Sequence, residues 1–139
     1  MKLKILALLL TLPFFPASFA QEVTPSAEGS SVYIISPSNG ATVSSPVHVQ
    51  FGLKGMGIAP AGIDVDNTGH HHLIIDAPLP DLSQPVPSSD NYRHFGKGQS
   101  EVILELAPGQ HTLQLLLGDW LHRPHGNPVQ SEVVTITVE

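Results

Sequence analysis

The clearest pattern in the chain is a period of two. From Val47 to Lys54, the residues Val47, Val49, Phe51 and Leu53 share one face, and His48, Gln50, Gly52 and Lys54 share the other. That is how a strand reads when one of its faces lies on a core. The C-terminus repeats it, with Val134, Ile136 and Val138 set against Val133, Thr135 and Thr137. Further strand signals fall at Val32 to Ser36, His71 to Asp76, Glu101 to Leu106 and His111 to Gly118, separated by clusters of Gly, Pro and Asn. No window of helical length carries an apolar stripe at 3.6-residue spacing. The pattern predicts an all-β domain, an immunoglobulin-like antiparallel β-sandwich of about seven strands, with a closed barrel as the alternative.

Between these strands the punctuation is local. Ser36-Pro37-Ser38-Asn39-Gly40 and Ala107-Pro108-Gly109-Gln110 are turn clusters. The second resembles the corner of a sandwich, where a residue early in the next strand hydrogen-bonds back across the turn, and His111 stands in the place usually given to Tyr. One long irregular stretch runs from Ala77 to Gln99. Its first half, with Pro78, Pro80, Pro85 and Pro87, reads as disorder-prone, and its second half, Asn91 to Gln99, reads as a segment that docks.

The ends of the chain change the picture of where it works. Lys2 and Lys4, the apolar run Ile5 to Phe15 and the small residues up to Ala20 form a leader of signal-peptide type, residues 1–20, cleaved after Ala20. The run is too short to span a bilayer. Residues 21–30 are polar and read as a flexible lead-in, and residues 31–139 as a single domain. The expected product is exported to a bacterial periplasm, soluble and not inserted in the membrane. Past the leader, four basic residues (Lys54, Arg93, Lys97 and Arg123) face twelve acidic ones, a formal balance of minus eight. Nucleic acid and anionic lipid would be repelled by it.

Cysteine is absent, so disulfides and thiolate metal sites are excluded; with Met56 alone past the leader, so is a thioether-rich cuprous site. Histidine is abundant instead. Gly69-His70-His71-His72 opens an apolar run, and Asp119-Trp120-Leu121-His122-Arg123-Pro124-His125 follows another. On a strand, His70 and His72 point to the same side, close enough for two imidazoles to reach one ion. Pro124 stiffens the loop that carries His122 and His125. Imidazole ligands suit copper(II) or zinc. The expected ligands are His70, His72, His122 and His125, with His94 as a further one, and Asp76 and Asp119 as acceptors for ring N–H groups. His111 reads as a structural hydrogen-bonding residue and His48 as solvated.

Other chemistry fits less well. Asp64-Val65-Asp66-Asn67-Thr68-Gly69 looks like half of a calcium loop, but its twelfth position is Ile75 where a bidentate Glu is required. No Gly-x-Ser-x-Gly elbow or ordered triad singles out a nucleophile. The expected function is a metal-binding protein for sequestration, delivery or sensing. Two alternatives remain: a metal-free interaction module presenting Tyr92, Phe95 and Trp120 to a protein partner, and a metal-dependent redox enzyme.

The segments Gly69 to Asp76, His94 to Gln99 and Gly109 to Leu113, continuing through Asp119, His122, Pro124 and His125, resemble a bacterial secreted family, domain-of-unknown-function family 4399. The resemblance covers about Ser31 to Glu139. It implies a periplasmic β-sandwich and treats these histidines as one constellation, without implying an activity. Copper-resistance carriers and copper monooxygenases also put copper on a β-sandwich, but they brace it with a mature N-terminal His, whereas this chain is expected to begin at Gln21. Copper–zinc superoxide dismutases are similar in having His-x-His on a strand, yet they carry a disulfide that a Cys-free chain cannot form.

Overall fold

The computed structural model describes residues 22–139, so the expected leader and Gln21 lie outside the described residues. Nine strands and no helix are present among the described residues. They are β1 (Ser31–Ser36), β2 (Thr42–Val43), β3 (Val47–Lys54), β4 (Gly57–Ile58), β5 (Thr68–Ile75), β6 (Tyr92–His94), β7 (Glu101–Leu104), β8 (Gly109–Gly118) and β9 (Val134–Val138). The three that periodicity did not predict, β2, β4 and β6, are two or three residues long, too short to show an alternation. No helix among the described residues is long and apolar enough to cross a membrane.

The strands form two separate sheets, not one closed barrel: β1-β3-β7, and β2-β9-β8-β5-β4 with β6 also on β5. The larger sheet is not wholly antiparallel, because β2 runs parallel to β9 and β4 parallel to β5. The two sheets face each other across one apolar core. Val32, Val47, Val49, Phe51 and Leu104 come from the smaller sheet, and Leu73, Ile75, Leu113, Leu115, Leu117, Ile136 and Val138 from the larger. These are the inward residues that the period of two assigns on β3, β8 and β9.

β5 departs from that alternation, since every residue from Gly69 to Ile75 is buried. The larger sheet is covered on both faces. Leu73 and Ile75 lie in the main core, whereas Ile74, with Leu116 of β8, packs beneath Val86, Ala77, Leu79, Leu82 and Tyr92. The proline-rich half of the 77–99 stretch, expected to be disorder-prone, is therefore the cover of the second face. Its prolines mask three spaced apolar anchors, Leu79, Leu82 and Val86. Hydrogen bonds hold it down: Val86 N–H to the His122 carbonyl at 2.7 Å, Asn91 Nδ2 to the Ile75 carbonyl at 2.8 Å, and the Tyr92 hydroxyl to the Pro78 carbonyl at 2.8 Å.

The corner before β8 is built as its sequence suggests. His111 Nε2 reaches the Ala107 carbonyl at 2.8 Å and Nδ1 reaches Asp76 Oδ2 at 2.7 Å, while Asp76 Oδ1 accepts from Thr112 N–H at 2.8 Å. The ring is only half-buried.

Candidate metal centre

The pleat of β5 puts His70 and His72 on the face turned away from the smaller sheet, with ring centroids 4.8 Å apart. β6 then lies along the same strand, and His94 is the direct cross-strand partner of His72. Its ring comes within 4.9 Å of His70 and 5.2 Å of His72. His122, in the turn after β8, closes the group at 4.7 Å from His94, 5.1 Å from His70 and 6.2 Å from His72. Every pair among these four rings is in contact. One ligand atom each from His70, His94 and His122 lie within 4.8 Å of one another, an arrangement that could hold a metal ion.

The turn that presents His122 is organised by a buried carboxylate. Asp119 Oδ1 accepts from Leu121 N–H at 2.8 Å and Arg123 N–H at 2.9 Å, and Oδ2 accepts from the Thr24 hydroxyl at 2.7 Å. The backbone closes the same turn, with His122 N–H to the Asp119 carbonyl and Asp119 N–H to the Arg123 carbonyl. His122 itself sits at φ 66°, in the left-handed region, which turns its ring back over the sheet. Asp119 thus positions His122 through the backbone; none of its hydrogen bonds above goes to a ring N–H. The polar segment 22–30, expected to be a flexible lead-in, lies against this loop, with Gly126 N–H donating to the Thr24 carbonyl at 3.0 Å and the Ser26 hydroxyl to the Asn127 carbonyl at 2.8 Å.

Two glycines make room for the rings. A Cβ on Gly118 would stand 2.6 Å from His72 Cε1, and one on Gly96 would stand 2.2 Å from His94 Cε1. Gly118 thus lies beside the His72 ring and Gly96 beside the His94 ring.

Burial keeps the inner rings neutral. His70 and His72 are 0% and 1% exposed, and neither nitrogen of either ring has a hydrogen-bond partner. Desolvation, followed by repulsion from His94 and His122, pushes His70 down to about 4. Desolvation and then repulsion from His70, His94 and His122 push His72 down to about 2. His94, although exposed, is lowered by the same two causes. All three therefore present lone pairs at neutral pH, the form that binds a metal.

The remaining expected residues lie elsewhere. His125 is buried, but its Nε2 donates to the Thr68 carbonyl at 3.2 Å and it shares no ring contact with the four. Asp76 is committed to His111 and Thr112 at the far end of β5. His71 faces the main core, its ring 5.2 Å from Phe51, and desolvation lowers it to about 4. His48 is exposed and pairs with Glu101 at 3.0 Å. Of the three aromatics expected to meet a partner, Phe95 is buried against Phe51, ring centroids 5.0 Å apart, and Tyr92 packs on the Ile74 face, which leaves Trp120, half-buried. No contiguous aromatic surface is formed among the described residues.

No curated protein and no solved structure matches the chain. A family described as Domain of unknown function (DUF4399) matches residues 49–139, a span that runs from β3 to the C-terminus and includes all four clustered histidines. The chain belongs to that family.

Proposed function

We propose that this protein binds a divalent transition metal, copper(II) or zinc, through His70, His72, His94 and His122, in sequestration, delivery or sensing. The observation that carries the reading is the pair of fully buried imidazoles, His70 and His72, whose ring nitrogens have no partner in the fold. An unsatisfied buried polar group costs about 1–3 kcal/mol. Four such atoms in one spot, beside two further imidazoles, are what a fold preorganised for an ion contains. A thiolate-free, all-imidazole set suits these two metals.

The fit needs only small adjustment. Zinc–nitrogen bonds of 2.0–2.1 Å imply ligand atoms about 3.4 Å apart in a tetrahedron, so the 4.8 Å group of His70, His94 and His122 draws in by roughly an ångström, with His94 on the exposed side, and His72, outside that group, turns toward it. His125 stays outside the ligand set, held by Thr68, and Asp119 serves the set by fixing the His122 turn. The leader composition supports a periplasmic site of work, and the two facing sheets support an immunoglobulin-like sandwich.

The test is metal analysis of the protein purified without an affinity His-tag, then calorimetry with copper(II) and zinc at pH 7. Metal should raise the melting temperature with concentration, by about 2.7 kcal/mol of stability at a hundred times Kd. His72→Ala and His122→Ala should each remove most of that increment, and together little more than either alone. Because burial holds His70 near 4 and His72 below it, acid should compete with the metal for these two ligands less at pH 5 than it would for free imidazoles near 6.5. Wild-type binding no tighter than millimolar at pH 7 overturns the proposal.

A further inference from the structure

The four imidazoles differ sharply in their access to solvent. His70 and His72 are sealed within the sheet, His122 is half-buried, and His94 is exposed. They differ as much in freedom to move. The His72 ring is boxed by Gly118 behind it and by three rings around it. His122 is fixed by the Asp119 turn and by the hydrogen bond from Val86 to its carbonyl. His94 has its backbone in register with His72 and its ring against those of His70, His72 and His122, but it also lies over Gly96, which offers no side chain to hold it, and of the four it is the exposed one. A rotation of the His94 side chain opens the cluster to water without disturbing the core.

Resting on the metal-binding reading above, we propose that the ion enters and leaves by ligand substitution at His94. An external donor takes the place of this imidazole while His70, His72 and His122 still hold the ion, and the ion then passes outward. No electron is transferred; the His94 nitrogen–metal bond breaks, an oxygen–metal bond forms, the freed imidazole stays neutral on the chain, and the carboxylate's negative charge leaves with the ion. The incoming ligand is a small chelator bearing a carboxylate. Residues 22–139 carry only four cations in an acidic chain, and three of them, Arg93, Lys97 and Arg123, stand within three residues of His94 or His122 in sequence, with Arg93 and Lys97 exposed. An anionic donor is attracted by these cations.

The experiment loads the full chain with copper(II) and follows the visible absorption of the bound ion as nitrilotriacetate or neutral imidazole removes it. Removal from the wild type should accelerate in proportion to nitrilotriacetate concentration and be slower with imidazole at equal concentration. His94→Ala should release the ion at least ten times faster, whereas His72→Ala should show its main effect as lost affinity. Lys97→Ala should slow removal by nitrilotriacetate and leave removal by imidazole unchanged. Release at a rate independent of chelator concentration overturns the inference, since it means that opening of the protein limits exchange. A His94→Ala rate within twofold of wild type overturns it too. A wild type that takes up no copper overturns the metal reading itself, a result distinct from either.

Discussion

Replacing Gly118 with alanine perturbs the centre without touching a ligand. Gly118 pairs with His70 across β8 and β5, and its backbone is not in the left-handed region, so alanine is unstrained there in φ. The added Cβ would stand 2.6 Å from Cε1 and 3.0 Å from Nδ1 of His72. Carbon atoms pack best at about 3.5–4.0 Å, so the ring or the strand has to yield by roughly 1 Å. His72 is 1% exposed, so its ring cannot swing out into solvent. Overpacking of this kind costs about 1–3 kcal/mol, which for a domain of this size lowers the melting temperature by roughly 4 to 20 °C. Metal affinity should fall by about 10- to 100-fold, as when the support of a metal ligand is disturbed.

Gly96→Ala is the control with the opposite expectation. Its Cβ would stand even closer, 2.2 Å from Cε1 and 2.4 Å from Nε2 of His94, yet that ring is exposed and can swing into solvent. The metal-free protein should melt within about 0.5 kcal/mol of wild type, while affinity still drops because His94 is displaced. Thermal melting of both metal-free variants and copper calorimetry on each decide the matter. A Gly118→Ala protein with wild-type melting and wild-type affinity refutes the reasoning, as does a Gly96→Ala protein that melts as low as Gly118→Ala.

Three further outcomes follow from the geometry. His125→Ala removes the hydrogen bond to the Thr68 carbonyl from a buried position and should cost about 1–3 kcal/mol with metal affinity within threefold of wild type; lost affinity in calorimetry would put His125 among the ligands. Asp119→Ala frees Leu121 N–H, Arg123 N–H and the Thr24 hydroxyl, so amide exchange across 119–123 should quicken and metal affinity fall although every imidazole remains; unchanged exchange would refute the positioning role. His111 faces two acceptors, which only the doubly protonated ring satisfies, and the Asp76 carboxylate with the Ala107 carbonyl raises its pKa. A raised folded pKa gives stability that is complete below the unfolded value near 6.5 and is lost as pH rises through the folded one. Denaturant melts should therefore show wild type exceeding His111→Ala by more at pH 5.5 than at pH 8.5, by no more than about 1 kcal/mol for so exposed a pair, and a gap that widens with pH would sink the assignment.

The β3 and β9 alternations were legible because one face of each meets the core and the other meets water. β5 was legible in place but not in depth: covered on both faces, it buries Ile74 and His72 as fully as Leu73, and a period of two has nothing to report. What covers its second face is a proline-rich loop whose anchors, Leu79, Leu82 and Val86, are spaced by a path through space that composition does not encode. β2, β4 and β6 exist through their partners' hydrogen bonds rather than through any preference of their own.

The same distinction runs through the histidines. His70 and His72 were legible as a pair because a strand fixes i and i+2 on one side. His94 joins them through β6 pairing with β5, a contact between residues 22 positions apart in sequence, for which Gly96 offers the one local sign. Between His122 and His125 the sequence holds no basis for choice, since both flank the same Arg-Pro pair. The choice is made by the Asp119 carboxylate, which gathers two backbone N–H groups into a tight turn and leaves His122 at φ 66° facing the sheet, while Pro124 bridges to Gly118 and carries His125 inward to Thr68. A left-handed histidine is not a local preference of the chain. It is sustained here by hydrogen bonds that converge on one turn from Thr24 and Val86, segments 95 residues away and on the covering loop, so the fourth imidazole belongs to the tertiary structure rather than to any motif.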